Sequence, residues 1–354
     1  MRLFKKLSTA VAIPFVLLVT LFIALAINGH NQKKIFILHS YYTDYMWVND
    51  LDAGLESVLG KQNSVQIKRC YMDTKRNPDL SFKKKAGEMA RKLIESEKPD
   101  VLIAIDDDAQ EYAAKYFANS KRTAIIHLGV NNFPEAYEYD KANNVTGLLE
   151  RIPIKAFIDA ANIISKNAGK PNQKIRIVHV GDCSGTVILD DKYIHSYKKL
   201  ENIEVLPSKL VKTFDQWKKA ILDVDSKIDI LMLTNSGKQL LENESSKKVV
   251  NPKELIDWTL KNCNHPIIGM NSFLVDEGLP FAVSVSPFEF GASGATWALK
   301  IINDKIPTNE VSKNFPTMTS KKFIVSMNQK QLEELNWNLP QIYKSFASAI
   351  QRCF

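Results

Sequence analysis

Residues 99–110 read Pro-Asp-Val-Leu-Ile-Ala-Ile-Asp-Asp-Asp-Ala-Gln, an apolar run between a proline and three aspartates. The run Val101–Ile105 is short and rich in β-branched side chains, which predicts a β-strand. Pro99 suits the exit from a helix into a strand, because proline cannot continue a helix. An acid after the strand is favoured at the start of a helix by the helix dipole. The stretch therefore predicts a strand between two helices.

The same alternation recurs along the chain. Short β-branched runs predict strands at Ile35–His39, Val65–Tyr71, Val101–Ile105, Ala124–Val130, Ile175–Val180, Ile203–Leu206, Ile228–Leu233, Ile267–Met270, Phe281–Val285 and Phe323–Ser326. Apolar residues three and four apart predict amphipathic helices over Leu80–Ile94, Ile154–Ile164, Trp217–Val224, Leu255–Leu260 and Gly291–Ile302. This spacing indicates βαβ units and parallel sheets. Because strands occur both before residue 150 and after residue 170, we predict an α/β protein with two doubly wound lobes.

The composition excludes several classes of protein. The chain has 354 residues, of which 45% are hydrophobic and 24% charged, as in ordinary globular proteins and unlike disordered, collagen-like or polytopic membrane chains. The formal net charge is +8, and Arg2, Lys5 and Lys6 supply three of these charges, so the remaining excess is too weak to favour nucleic-acid binding. The four cysteines lie far apart without a C-x-x-C pair, which predicts neither a disulfide framework nor a zinc site.

The first 27 residues predict export. Basic residues precede an apolar run over residues 10–27, which contains the small-residue triplet Ala24-Leu25-Ala26 before a polar segment. This order is typical of a secretory signal peptide. The run is about 18 residues long, near the lower limit for crossing a bilayer, so an uncleaved anchor in the inner membrane is the open alternative. In both cases we expect the rest of the chain to fold outside the cytoplasm, in the periplasm or an equivalent compartment.

Polar residues follow the predicted strands in both halves. Ligands of open parallel sheets bind beyond the carboxyl ends of the strands. The candidate ligand-binding residues at these ends are Ser40, Tyr41, Tyr42, Asp73, Asp106, Asn131, Asp182, Ser184, Asn235 and Asn271. Each one alone is more often a helix cap or turn residue. Two such rows facing each other across a cleft would form a binding site.

The first strand end is also rich in aromatic residues. Tyr41, Tyr42, Tyr45 and Trp47 lie within seven residues and could stack on a sugar, an aromatic side chain or an amine. Trp47 either joins this site or packs at the entry of the first helix. The acidic strand ends favour a ligand with a cationic group, and Arg151 is a candidate partner for a carboxylate.

The sequence argues against catalysis. Asp106, Asp107 and Asp108 could act as acid and base or hold a hard cation, but consecutive residues do not face one site. The chain has no G-x-S-x-G elbow, P-loop or H-E-x-x-H motif. The segment Gly291-Ala-Ser-Gly294 lacks the first glycine of a dinucleotide fingerprint, and we expect it to allow close helix packing. We predict no enzyme activity, no cofactor and no metal.

Several segments carry a family resemblance. They are His39–Trp47 (HSYYTDYMW), Gly54–Leu59 (GLESVL), Tyr71–Arg76 (YMDTKR), Ile105–Ala109 (IDDDA), Gly129–Asn132 (GVNN) with Thr146-Gly147, and Val283–Pro287 (VSVSP) leading to Gly291. With these residues the chain resembles the ABC-transporter substrate-binding protein family, which has the type 1 periplasmic-binding-protein fold. The likeness covers residues 34–328. The opening segment and Asp73-Thr74 are most similar to the branch that also serves as sensing ectodomains.

The resemblance implies a two-lobed clamshell whose chain crosses the hinge three times. Lobe 1 would comprise residues 34–149 and 281–304, and lobe 2 residues 150–280 and 305–354. Members bind small solutes, including aromatic amino acids in some branches, without changing them chemically. By position, the implied ligand contacts are Ser40, Tyr41, Asp106, Asn131, Asp182, Asn235 and Asn271. Tyr42 stands where the sensing branch often has histidine.

We therefore expect an exported, monomeric solute-binding protein that captures a small polar or zwitterionic ligand, such as an amino acid, for the permease of an ABC importer. The alternative is a membrane-anchored extracytoplasmic sensor that acts on a separate membrane signalling protein. A hydrolase or transferase on a similar scaffold is a third class, because a fold does not fix a function.

Overall fold

The computed structural model describes residues 32–167, 174–197, 202–320, 322–350 and 352–354. The predicted signal peptide or anchor, residues 1–27, lies outside these ranges. Among the helices within them, none is both long and apolar enough to cross a membrane.

The strands of the described chain match the sequence pattern closely. They are β1 (Lys33–His39), β2 (Val65–Tyr71), β3 (Val101–Ile105), β4 (Ala124–Val130), β5 (Val145–Leu149), β6 (Ile175–Asp182), β7 (Ile203–Val205), β8 (Lys209–Val211), β9 (Ile230–Leu233), β10 (Ile267–Gly269), β11 (Phe281–Ser284), β12 (Met318–Thr319) and β13 (Ile324–Met327). Every predicted strand is present, with its ends moved by at most two residues. The sequence does not predict β5, β8 or β12.

The strands form two mainly parallel sheets. The first has the order β12–β5–β4–β3–β1–β2, with all neighbours parallel. The second has the order β13–β11–β10–β9–β6–β7, with β8 also paired to β6. In this second sheet β13 runs antiparallel to β11, and the other pairs are parallel. The predicted α/β class with two mainly parallel sheets is confirmed.

Helices cover both faces of each sheet. They are α1 (Met46–Leu59), α2 (Leu80–Glu97), α3 (Asp106–Tyr112), α4 (Ile154–Asn167), α5 (Gly185–Ser196), α6 (Phe214–Asp225), α7 (Pro252–Asn262), α8 (Phe273–Asp276), α9 (Pro287–Asn303), α10 (Val311–Asn314), α11 (Gln329–Glu334) and α12 (Gln341–Ala349). Successive strand residues face opposite sides, so Ile103 and Leu102 of β3 belong to different apolar cores. Ile230 and Leu231 of β9 divide in the same way. Burial on both faces explains why these strands read as continuous apolar runs.

Two glycines bring α1 and α9 into close contact. A Cβ on Gly54 would lie 2.0 Å from the carbonyl oxygen of Phe288, and a Cβ on Gly291 would lie 2.1 Å from that of Leu51. Only glycine permits this approach of two helix backbones. The predicted packing role of Gly291 is confirmed.

The chain passes between the sheets after β5, after β11 and after β12. The predicted lobe boundaries, which placed residues 281–304 in lobe 1 and 305–354 in lobe 2, differ from this pairing. The strand β11 pairs with β10 and β13 in the second sheet, and β12 pairs with β5 in the first. Backbone hydrogen bonds therefore place residues 281–284 with lobe 2 and residues 318–319 with lobe 1.

Candidate functional site

The carboxyl ends of the central strands of both sheets meet between the lobes. The strand order of the first sheet reverses between β1 and β3, and that of the second between β6 and β9. Such a reversal leaves a crevice, because the connections after the two strands diverge to opposite faces of the sheet. The two crevices face each other and form one interlobe cleft.

The cleft has an inner and an outer compartment. The inner compartment encloses about 370 Å³, its open mouth included, and is lined by Tyr41, Tyr45, Trp47, Lys75, Asp106, Glu150, Thr186, Val187, Asp190, Thr234, Asn235, Asn271 and Phe273. The outer compartment encloses about 470 Å³ on the same measure and is lined by Tyr41, Thr74, Lys75, Lys83, Asp107, Asp108, Ser184, Gly185, Thr186, Leu189 and Gln239. Both lobes contribute residues to each compartment.

Aromatic rings form one wall of the inner compartment. The rings of Tyr41 and Tyr45 meet edge to face, with centroids 5.7 Å apart. Tyr45 also approaches Phe273 of the second lobe, at 6.2 Å between centroids. Trp47 packs on Phe290 of α9 at 6.1 Å while its indole edge lines the cleft. Trp47 therefore both lines the cleft and packs at the start of α1, the two alternatives that the sequence left open.

Asp106 is held in an unusual backbone conformation at the centre of this compartment. Its φ of 64° lies in the left-handed region, which aspartate tolerates better than most residues. The residue is 3% exposed, and its Oδ2 has no hydrogen-bond partner in the described chain. Trp47 Nε1 meets no partner of full hydrogen-bond geometry among the described residues, but its N–H lies close enough to the Asp106 carboxylate to oppose the rise in the pKa of that group. The donor and the acceptor are thus buried beside each other in a weak contact.

Gly129 makes room for this group of side chains. A Cβ built on Gly129 would lie 3.3 Å from the Trp47 ring, 3.6 Å from Asp106 Oδ1 and 3.7 Å from Glu150 Oε2. Its φ of 65° also favours glycine. Gly129 therefore lets a ring and two carboxylates converge beside the end of β4.

The carboxylates of the inner compartment are poorly solvated. Burial raises the pKa of Asp106 and of Glu150 well above their usual values, and Lys75 opposes both shifts. Burial likewise raises the pKa of Asp190 to about 7. Burial lowers the pKa of Lys75, against the attraction of Asp106, Asp182 and Glu150. Each ionised group in the cleft would be stabilised by a partner of opposite charge.

Six residues predicted from the sequence line the cleft. Tyr41, Trp47, Asp106, Asn235 and Asn271 line the inner compartment, and Ser184 lines the outer one. The Ser184 hydroxyl is buried and meets no hydrogen-bond partner among the described residues, whereas the Asn271 amide donates to the Thr234 carbonyl at 2.7 Å.

Ser40 and Asp182, also predicted, support the cleft from behind. The Ser40 hydroxyl donates to the Ile105 carbonyl and accepts from the Ala109 N–H, both at 2.7 Å, and so ties β1 to the start of α3. The Asp182 carboxylate accepts from the Ser184 N–H, the Asn235 amide and the Gln239 N–H. Their hydrogen-bonding groups are therefore used within the protein.

Tyr42, Asp73 and Asn131, the remaining predicted residues, do not line either compartment. The Asp73 carboxylate holds Arg76 at 2.7 and 2.8 Å. The Arg76 guanidinium lies over the Tyr42 ring, 4.2 Å from its centroid. Asn131 is buried at the end of β4, and its Oδ1 has no partner in the described chain.

Arg151, which the sequence offers as a candidate partner for a ligand carboxylate, contacts backbone carbonyls in this structure. Its guanidinium donates to the backbone carbonyls of Val130, Asn131 and Asn132 at 3.1, 2.7 and 3.3 Å. These bonds fix the loop after β4 at the first crossing between the lobes. Arg151 therefore supports the hinge.

The three consecutive aspartates make different contacts. Asp106 lines the inner compartment, whereas Asp107 and Asp108 line the outer one. Asp107 accepts from the N–H groups of Asn131 and Asn132 at 3.1 and 2.9 Å. Asp108 pairs with Lys83 at 2.9 Å.

The sequence did not identify Lys75, Glu150 or Asp190 as site residues. Lys75 lies within the segment Tyr71–Arg76, just beyond the end of β2. This position after a strand could have identified Lys75 as a site residue. Glu150 directly follows β5, so predicting that strand would have found it. Asp190 lies inside α5, and no strand-end pattern marks it.

Comparisons with known proteins identify the fold. No family model and no curated protein matches the sequence. Among solved structures, the ligand-free, open form of a substrate-binding protein with adhesive properties from Clostridium difficile has a TM-score of 0.63 and 17% identity, covering 87% of this chain and 96% of that one. A Streptococcus pneumonia ABC domain in complex with L-Trp has a TM-score of 0.62 and 13% identity, covering 88% and 98%. The TorS sensor domain–TorT complex gives 0.51 and 11%, covering 84% and 92%.

The chain therefore has the two-lobed fold of the type 1 periplasmic binding proteins. The fold that the family resemblance implied is confirmed.

Proposed function

We propose that the protein is an exported solute-binding protein that closes its lobes over a small polar or zwitterionic solute carrying a cationic group. The observation that carries this proposal is the two-sided cleft in which the Asp106 carboxylate is buried with its Oδ2 outside full hydrogen-bond geometry with every described residue and in weak contact with the Trp47 indole N–H. A buried polar atom that lacks a hydrogen bond costs about 1–3 kcal/mol. A solute that donates to Asp106 would supply that hydrogen bond. Such binding requires no bond to be made or broken.

The acidic side chains of the inner compartment support a cationic group on the solute, because a cation would stabilise the ionised form of carboxyl groups whose pKa burial raises. Asp106, Glu150 and Asp190 line it together with one cation, Lys75. The faces of Tyr41 and Tyr45 add a surface that attracts ammonium groups. A zwitterion such as an amino acid would place its ammonium near the acids and its carboxylate near the lysine.

The contacts from both lobes give a mechanism for capture. Tyr41 and Asp106 belong to the first lobe, whereas Asn235, Asn271 and Phe273 belong to the second. A solute that touches both sets is bound more tightly by the closed form than by the open form, so it shifts the population toward closure. The three crossings between the sheets would act as the hinge.

The solved neighbours support a role in transport. Their descriptions include a substrate-binding protein and an ABC domain in complex with L-Trp. We propose an amino acid as the solute and the permease of an ABC importer as the partner, with the chain acting as a monomer outside the cytoplasm. Residues 1–27 would supply the export signal or a tether to the inner membrane.

Thermal unfolding of the purified full-length chain against amino acids, polyamines, sugars, purines and oxyanions tests the proposal. A ligand of the folded state stabilises it by RT ln(1 + [L]/Kd), about 2.7 kcal/mol at a hundredfold excess over Kd. We expect amino acids or amines to raise the unfolding midpoint by several degrees without being consumed. The absence of a shift for every cationic or zwitterionic compound would contradict the proposal.

The second candidate function is a sensor that acts on a separate membrane signalling protein. The similarity to the complex of TorT with the TorS sensor domain favours it. Mass spectrometry of the protein isolated from its membrane separates the two roles. An intact N-terminus, together with crosslinking to a signalling protein, would support the sensor. A mature N-terminus near residue 27 and crosslinking to a permease would support transport.

A further inference from the structure

Lys75 divides the interlobe cleft. Its side chain lines both the inner and the outer compartment, together with Tyr41 and Thr186. The Lys75 ammonium lies 4.6 Å from the centroid of the Tyr41 ring and 5.5 Å from that of Tyr45. Both distances fall within the range at which an aromatic face attracts a cation. The lysine ammonium therefore lies against two aromatic faces.

Carboxylates surround this place without pairing with Lys75. Asp106, Asp182 and Glu150 are the acids whose charges favour the ammonium, and Lys238 opposes it. Lys238 itself is paired with Glu277. Lys75, by contrast, has no ion-pair partner among the described residues, although neighbouring Arg76 and Lys83 both have one. The ammonium contacts two aromatic rings and has carboxyl groups nearby but no ion pair of its own in the described chain, so a different cation could take its place.

We propose that Lys75 is a built-in occupant of the cation position and that a solute with a primary ammonium group binds by displacing it. Two positive charges about 4 Å apart repel each other strongly when little water separates them. The solute ammonium and the Lys75 ammonium therefore exclude each other from the space beside Tyr41 and Tyr45. Withdrawal of Lys75 would join the two compartments and give the solute access to Asp106 Oδ2. This inference rests on the proposed function and names the ligand group that the cleft selects.

Chemical rescue tests the displacement directly. Lys75→Ala removes three carbons and the ammonium, a space that n-propylammonium can fill. We expect n-propylammonium chloride to raise the unfolding midpoint of full-length Lys75→Ala in a saturable way. Half-saturation of the variant should come at an n-propylammonium concentration at least about tenfold lower than for any effect on the wild type. In the wild type, the Lys75 ammonium already occupies the space beside Tyr41 and Tyr45.

Two controls isolate the charge and the position. n-Propanol and sodium chloride at equal concentration should not raise the unfolding midpoint of Lys75→Ala, because the space beside Tyr41 and Tyr45 selects an ammonium group. Lys84→Ala removes an exposed lysine from α2 and should respond to n-propylammonium as the wild type does. If Lys75→Ala fails to fold, Lys75→Met is the second variant, because methionine keeps the unbranched stem of the side chain and lacks the ammonium. Its unfolding midpoint is then compared in ammonium chloride and in sodium chloride at equal concentration.

The outcomes separate this inference from the proposed function. Equal responses of Lys75→Ala, Lys84→Ala and wild type to n-propylammonium would overturn the inference, even if the ligand panel finds a solute for the wild type. Stabilisation of Lys75→Ala by n-propylammonium, with no such effect on Lys84→Ala or the wild type, would support the cation position beside Tyr41 and Tyr45. This holds even if the panel finds no solute and the proposed function fails.

Discussion

At the scale of single residues, Asp190 makes stability depend on pH. Burial raises its pKa from 3.8 to about 7. The folded protein therefore keeps a proton that the unfolded chain releases, and this stabilisation is complete below the unfolded pKa and is lost as the pH rises through about 7. For Asp190→Asn, the free energy of unfolding relative to the wild type should rise between pH 5 and pH 8, by at most roughly 3 kcal/mol. Urea unfolding at both pH values measures it.

Asp159→Asn is the matched control, since it makes the same chemical change on the exposed face of α4. The difference in the free energy of unfolding between Asp190→Asn and the wild type should therefore change with pH. If it stays constant over this pH range, or follows the difference seen for Asp159→Asn, the raised pKa of Asp190 is refuted.

The sequence predicts site residues where a side chain follows a recognisable strand. Tyr41 and Asp106 follow β1 and β3, and both line the cleft. Ser40 follows β1 as well, but its hydroxyl is used up by Ile105 and Ala109. The pattern gives the strand end, whereas the direction of each side chain depends on contacts between residues distant in sequence. The same reason hides Lys75, whose ammonium meets rings from another strand end.

At the scale of elements, the contact of α1 with α9 depends on its glycines. Gly54→Ala would place a Cβ 2.0 Å from the Phe288 carbonyl oxygen, and backbone atoms cannot move aside cheaply. We expect a loss of about 1–3 kcal/mol, the usual cost of overpacking. Gly185→Ala at the start of α5 is the control, because its Cβ would meet nothing within 4 Å. Denaturant unfolding of both variants should separate them, and equal stabilities would refute the close-packing account.

The predictability of the elements follows their hydrophobic pattern. Strands β3 and β4 are buried along their whole length and stand out as apolar runs. The segment of β5 includes Thr146 and Gly147 and gives a weaker signal. The sequence predicts the strand β11 but not the sheet to which it belongs. A buried strand has the same apolar pattern whether it pairs with β10 in the second sheet or lies in the first.

At the scale of the whole molecule, Arg352 links the lobes. It pairs with Asp50 of α1 in the first lobe and, at 2.9 Å, with Asp276 of α8 in the second. Charge-assisted hydrogen bonds contribute about 1.5–3 kcal/mol. Arg352→Gln should therefore weaken the contact between the lobes that this structure shows and enlarge the radius of gyration of the ligand-free protein in small-angle X-ray scattering. Lys33→Gln, which breaks an exposed pair with Asp100 inside one lobe, should leave the scattering unchanged. Identical curves for both variants would contradict a cross-lobe link.

We expect the interlobe cleft to bind its solute through Asp106. Calorimetric titration of the wild type, Asp106→Asn and Asp159→Asn with the strongest ligand of the panel measures the contribution of this carboxylate. Asn keeps the shape of Asp but removes the charge that a solute ammonium needs. We predict an affinity lower by about tenfold or more for Asp106→Asn alone, with an undiminished unfolding midpoint of the ligand-free variant. Equal affinity of all three proteins would contradict the account and place the solute elsewhere.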